Sequence, residues 1–207
     1  HDNVKDNELS HTLNRKTTLA NMAFGEVNES NMYTFLHTEF DFWRVLINPA
    51  LRVDYFKFNY ADALQTTYQT LSENKTFVSP KVNILYNPNH HWQLFLKSGT
   101  GFHSNDSRVV VAQNGKEILP AAYGLDVGAI WKPLPRLWFT SALWYLFLEQ
   151  EFVYVGDEGI VEPSGKTKRK GIDFGVRYQI SNSFYFDTDV NYTIARAMES
   201  PEEANYI

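Results

Sequence analysis

The chain has no cysteine, three methionines, and no apolar run near the roughly 18 residues from which a membrane-crossing helix is read. Without cysteine there is no disulfide framework and no thiolate metal site, and the compartment stays open. An excess of positive charge is also missing. The net charge is -5, which gives no reason to expect a polyanion, and nucleic acid is set aside as a partner. The missing helix excludes less than it first suggests, because a membrane-crossing β-strand needs only about 9 to 11 residues. Mean hydropathy of -0.37 with 43% hydrophobic residues would suit a water-soluble protein, so composition alone does not decide.

What the chain does have is aromatics: 12 Tyr, 15 Phe and 5 Trp, spread through segments that alternate with period two, as strands do. The clearest case is the hairpin from Lys168 to Ala197. Ile172, Phe174, Val176, Tyr178 and Ile180 alternate with Asp173, Gly175, Arg177 and Gln179; after the turn Ser181-Asn182-Ser183, Phe184, Phe186, Val190, Tyr192 and Ile194 alternate with Tyr185, Asp187, Asp189, Asn191 and Thr193. Side chains flip face at every strand residue, so each arm has one apolar and one polar face.

Residues 1–30 are polar and weakly periodic, and are read as a loop or tail. Strands are expected from Asn31 to Phe42 and from Val45 to Tyr60, with Pro49 at an edge or distortion. Further strands are expected from Pro80 to Tyr86, from Trp92, from Tyr123 to Trp131, and from Leu137 to Tyr154. Short turns fall at Trp43, Asn87, Pro133 and Ser181, and long loops at 61–79, 103–119 and 155–167. That asymmetry is the pattern of an outer-membrane barrel, with short periplasmic turns and long extracellular loops. Trp43, Trp92, Trp131 and Trp138 all lie beside short turns, where an interfacial girdle would place them. The fold class is therefore all-β: an antiparallel up-and-down meander of about eight strands, part of a transmembrane β-barrel, with 198–207 as a truncated loop.

In the strand 137–154 both faces read as apolar. Glu149 and Glu151 continue the odd positions, so Phe139, Leu143, Tyr145 and Phe147 are assigned to a watery lumen and Trp138, Ala142, Trp144, Leu146 and Leu148 to the outside.

The segments SPKVNILYNPN (Ser79 to Asn89), LFLKSGTGFHSND (Leu94 to Asp106), LPAAYGLDVGAIWK (Leu119 to Lys132) and ALWYLFLEQEFVYVGDEGIVEPSGKTKRKGIDFGVRYQI (Ala142 to Ile180) resemble the barrel of TonB-dependent outer-membrane receptors. The resemblance implies active uptake of a scarce nutrient: an iron chelate, a corrinoid or a glycan. It also implies outer-membrane lipid around a barrel of about 22 strands, a plug domain inside it, and the TonB energising complex as partner. No plug-like segment or energy-coupling box is read here, and the chain is taken as a piece of such a barrel. A small eight-stranded outer-membrane barrel with a structural or adhesive role is the alternative, and a soluble lipocalin-like barrel a third reading.

Candidate ligand contacts are the loop residues His103, Asn105, Asp106, Arg108, Asp157 and Glu158, since loops on a rigid scaffold carry binding, with Glu149 and Glu151 below them. Lys166, Lys168, Arg169 and Lys170 form a basic run at the long-loop rim, suited to anionic lipid headgroups. Gly165-Lys166-Thr167 ends like a phosphate loop, but Ile160 stands where its first glycine belongs and a strand follows, so no nucleotide is expected. His37, His90, His91 and His103 lack ligand spacing, and no metal or cofactor is expected. The pairs Asp187/Asp189 and Glu149/Glu151 are read as hydrated wall carboxylates, and no catalytic residue is assigned.

Overall fold

The computed structural model describes residues 2–66, 70–103, 118–155 and 160–198. It is one antiparallel sheet built from β1 (Asp2–Leu13), β2 (Thr17–His37), β3 (Phe40–Phe42), β4 (Val45–Asp62), β5 (Thr70–Asn89), β6 (Trp92–Phe102), β7 (Ala121–Leu134), β8 (Leu137–Val155), β9 (Ile160–Gln179) and β10 (Tyr185–Ala197). The spatial order is β1-β2-β4-β5-β6-β7-β8-β9-β10, with β3 beside β4. Sequence neighbours thus pair in a meander, and among the described residues the sheet is open at β1 and β10.

The expected loop or tail at 1–30 is instead β1 and the first part of β2, paired as a hairpin, and the expected strand from Asn31 to Phe42 is divided between the end of β2 and β3, so the described residues form ten strands and not eight. Asn14 and Arg15 both adopt positive φ (51° and 57°), and the Lys16 amide donates to the Leu13 carbonyl at 3.1 Å. Two positive-φ residues give the turn whose twist matches its flanking strands. Two of the three expected long loops are also mostly strand: β4 and β5 leave only 63–69 between them, and β8 and β9 only 156–159. Of the third, only its ends, His103 and residues 118–119, are among the described residues.

Pro49 lies inside β4, opposite Val82 of β5. On its other side the neighbouring ladder breaks: β2 ends at His37, opposite Ala50, and β3 starts at Phe40, opposite Ile47. Proline has no amide to donate, so the interruption between β2 and β3 falls where the ladder lacks a donor. The Thr38 amide still donates to the Pro49 carbonyl at 3.1 Å.

The registers carry two faces across the sheet. Leu96, Val127, Leu143, Ile172 and Tyr192 follow one another as register partners from β6 to β10, and Leu51 and Val53 continue the same face in β4. Among the described residues nothing covers this apolar face: Leu143 is 60% exposed, Val190 59% and Met32 77%. A monomer in water rarely exposes so large a contiguous apolar surface. The buried apolar cluster lies on the opposite, polar face, where Ile118 and Leu119 pack on Phe56 and Phe58 of β4. Phe102 closes it, with its ring centroid 5.4 Å from Phe56 and 5.0 Å from Phe77.

Candidate functional site: a polar wall backed by an apolar band

On the polar face, charges and amides pair along the wall. Arg52 meets the Asp54 carboxylate through Nε at 2.8 Å and Nη2 at 2.7 Å, and Asn31 Nδ2 donates to the same group at 3.2 Å. Asp54 is fully buried, and the Arg52 guanidinium lies 3.9 Å over the Tyr33 ring. Further along, Asp173 accepts from Trp144 Nε1 at 3.1 Å and from Asn191 Nδ2 at 3.0 Å, and Arg177 Nε donates to Asp187 at 3.1 Å. Lys97 and Asp126 face one another as register partners.

Two rings lie flat on this wall because glycine sits beneath them. A Cβ at Gly171 would come within 2.6 Å of the Trp144 ring, and one at Gly128 would collide with Phe95. Large side chains therefore coexist with the small residues opposite them.

The apolar face carries an aromatic row near the short turns. Trp92 stacks on Trp131 (5.5 Å), Trp131 on Phe139 (5.2 Å), and Phe139 lies 6.4 Å from Phe174. A second row lies toward the other end, with Tyr123 and Phe147 6.2 Å apart. Tyr123 and Trp131 are separated along β7 by about 26 Å at ~3.3 Å per residue, which at the ~35–45° tilt of strands in membrane barrels rises about 18 to 21 Å, within their ~25 Å apolar band.

The assignment of β8 from Glu149 and Glu151 is overturned. Leu143 pairs with Ile172 and Phe139 with Val176, so the odd positions share the apolar face, while Ala142 and Trp138 face Asp173 and Arg177. A bulge is the reason: the register runs to Leu148 opposite Thr167 and resumes with Glu151 opposite Gly165, which reverses parity between them. Glu151 reaches the polar face, where it pairs with Arg169. Glu149 stays before the reversal and accepts from the Ala121 amide (3.1 Å) and the Tyr123 hydroxyl (3.2 Å). The two carboxylates do not share a face.

His103 closes the end of β6, its amide donating to the Pro120 carbonyl at 3.2 Å. Asn105, Asp106, Arg108, Asp157 and Glu158 lie outside the described residues. Of the basic run, Arg169 turns to the polar face, while Lys168 and Lys170 continue the face of Ile172. Arg196, opposite Lys168, is a fifth cation that the reading of one linear run missed; pairing across the hairpin turn supplies it. Among the described residues no three His, Asp or Glu side chains converge as metal ligands.

The family described as TonB dependent receptor-like, beta-barrel, matches residues 3–206. This chain belongs to the TonB-dependent receptor family. The receptor barrel is similar in structure to the siderophore receptor PiuA from Acinetobacter baumannii, at 15% identity and a TM-score of 0.68 over 85% of this chain and 27% of that one. It is also similar to the ferric citrate transporter FecA in its unliganded form, at 16% identity and a TM-score of 0.66 over 87% of this chain and 28% of that one. The ferric-catecholate import receptor Fiu from K12 E. coli matches at 13% identity and a TM-score of 0.65, over 87% of this chain and 30% of that one. This part of the receptor thus spans under a third of the length of each. No curated protein sequence matches it significantly.

Proposed function

We propose that this chain is part of the wall of an outer-membrane receptor that imports a ferric chelate, driven through a plug and the TonB complex of the whole protein. Its apolar face meets lipid and its polar face lines the lumen. The observation that carries this is the uncovered band of Leu125, Val127, Leu143, Ile172 and Val190, bounded by the Trp92–Trp131 row. In lipid every backbone polar group must be paired within the protein, which strand pairing accomplishes. Iron, in place of a corrinoid or glycan, is favoured because PiuA, FecA and Fiu are described by siderophore, ferric citrate and ferric-catecholate.

His103, Asn105, Asp106, Arg108, Asp157 and Glu158 stay the proposed ligand contacts, since they belong to the connections at the end opposite the short turns. Glu151 is proposed to hold Arg169 in place, not to touch the ligand. The test is uptake of radiolabelled ferric chelates by iron-starved cells with the gene deleted and restored. Loss of one chelate on deletion is expected; unchanged uptake of every chelate with loss of a corrinoid or glycan would replace iron as the substrate.

A further inference from the structure

The buried apolar cluster sits on the wet face of the sheet, and the strands alone do not make it. Phe56 and Phe58 stand on the polar side of β4, in line with Arg52 and Asp54, and Ile118 and Leu119 of the segment before β7 seal them. Uncovered, these rings would hold apolar surface in water, so covering them is favourable. The cover comes from some way along the sheet. β4 lies three strand positions from β7, about 14 Å at the usual spacing of neighbouring strands. The register pair Phe102 and Ala121 already joins β6 to β7, so nothing in that pairing requires the chain to cross to β4.

What the crossing fixes is the end of β6. Pro120 follows directly on Leu119, and its carbonyl accepts from the His103 amide at 3.2 Å. On the other side of His103, the Phe102 ring packs into the same cluster, 5.4 Å from Phe56 and 5.0 Å from Phe77. The His103 backbone is thus held between two groups anchored in one seat. Proline tightens the link, because its ring holds φ at about −65° and removes one freedom between the seat and the hydrogen bond.

We propose that Ile118 and Leu119 are positioning residues for His103, fixing the place from which its imidazole meets a ferric chelate. The proposal rests on the reading that the polar face lines the lumen of a ferric-chelate importer. An imidazole offers a hydrogen-bond donor or, when protonated, a cation to the oxygens of an anionic chelate. A contact held in place before the ligand arrives loses less freedom on binding. The seat itself is buried and apolar, so it acts through His103 and not by touching the chelate.

The test measures uptake of radiolabelled ferric citrate, a ferric hydroxamate and a ferric tris-catecholate by cells carrying the complete receptor. Ile118→Ser/Leu119→Ser is expected to raise KM for the imported chelate at least about fivefold, inside the range for coupled residues, with the maximal rate unchanged. His103→Ala is expected to raise KM by a similar factor. The triple variant is expected to be no worse than His103→Ala alone, because a seat that acts through His103 then has nothing left to position. The volume-conserving Ile118→Leu/Leu119→Ile is expected to restore KM to near the wild-type value, and Leu119→Ala takes the place of the serine pair if that pair does not reach the membrane. Unchanged KM in the seat variants overturns the proposal, as does a triple variant whose losses multiply. A lower maximal rate with KM unchanged also overturns it, since that marks a merely structural role. Uptake of none of the three chelates by the wild type removes the import reading itself, whereas import with His103→Ala at the wild-type KM removes the positioning role alone.

Discussion

Trp92 and Trp131 stack across β6 and β7 with centroids 5.5 Å apart and planes 16° from parallel. They are direct register partners, so the ladder that sets the sheet also sets the stack. Trp131 contacts Phe139 on its other side, and removing it opens the row at its middle. Trp131→Ala is expected to lower the stability of the complete receptor by at least about 0.5 to 1.5 kcal/mol, the usual range for the aromatic pair alone. Urea unfolding in lipid vesicles measures it, and a loss no larger than that of Leu134→Ala would deny the row a special role.

Val127 lies midway between Tyr123 and Trp131 on the apolar face and is 46% exposed. Val127→Arg is expected to cost about 2 to 4 kcal/mol in the same unfolding measurement, the range for a cation at the bilayer midplane. Thr193→Arg, on the polar face opposite Gly171, is expected to stay within about 1 kcal/mol. Equal costs at the two sites would mean that the faces have been assigned wrongly.

Asp54 is sealed from solvent and held by Arg52 and Asn31. Arg52→Leu leaves a buried carboxylate without its half-exposed countercharge, and a loss of stability is expected in the same unfolding measurement. Replacing both as Arg52→Leu/Asp54→Leu removes the orphaned charge and is expected to recover part of that loss. A double variant less stable than the single one would show that the pair does more than satisfy itself.

The pair Glu151–Arg169 is partly exposed, at 29% and 39%. A double-mutant cycle with Glu151→Gln and Arg169→Gln is therefore expected to give a coupling of only about 0.2 to 1 kcal/mol. Its more telling signature is spatial: water-soluble thiol reagents are expected to label Glu151→Cys readily and Leu143→Cys slowly in intact membranes. Equal labelling rates would mean the bulge does not reverse the strand.

Gly171→Val is expected to push Trp144 off the wall and break its hydrogen bond to Asp173, costing about 1 to 3 kcal/mol as overpacking does. Near-ultraviolet circular dichroism reports the displaced indole. An unchanged spectrum would show that Trp144 does not rest on Gly171.

Where lipid-like burial is demanded of one face, the sequence is easy to read. The pairing of Phe186 with Tyr178 and of Val190 with Phe174 is what alternation about Ser181-Asn182-Ser183 requires, and the turn ends were legible from Trp43 to Ser183. Where strands rise beyond the apolar band, water wets both faces and no alternation is imposed. Asp2–Leu13 and the start of β5, Thr70 to Ser79, are mostly polar and do not alternate cleanly, yet they pair through backbone groups that carry no mark in the side chains. Asn14 was the available clue to the first hairpin, as a residue that tolerates positive φ. In β8 the parity rule failed for a different reason, since Glu149 and Glu151 straddle a bulge that displaces the register by one residue at Glu151, before a second shift restores it at Phe152.

Phe95 on Gly128 and Trp144 on Gly171 have a mechanical consequence for whatever occupies the polar side of the wall. A ring laid flat adds its thickness to the wall; a ring standing upright adds its length. By pairing its bulkiest side chains with glycine, the wall gains clearance at mid-height and presents smooth π-surfaces, not a comb of protruding chains. Each of these glycines sets how far the polar wall projects at its own position.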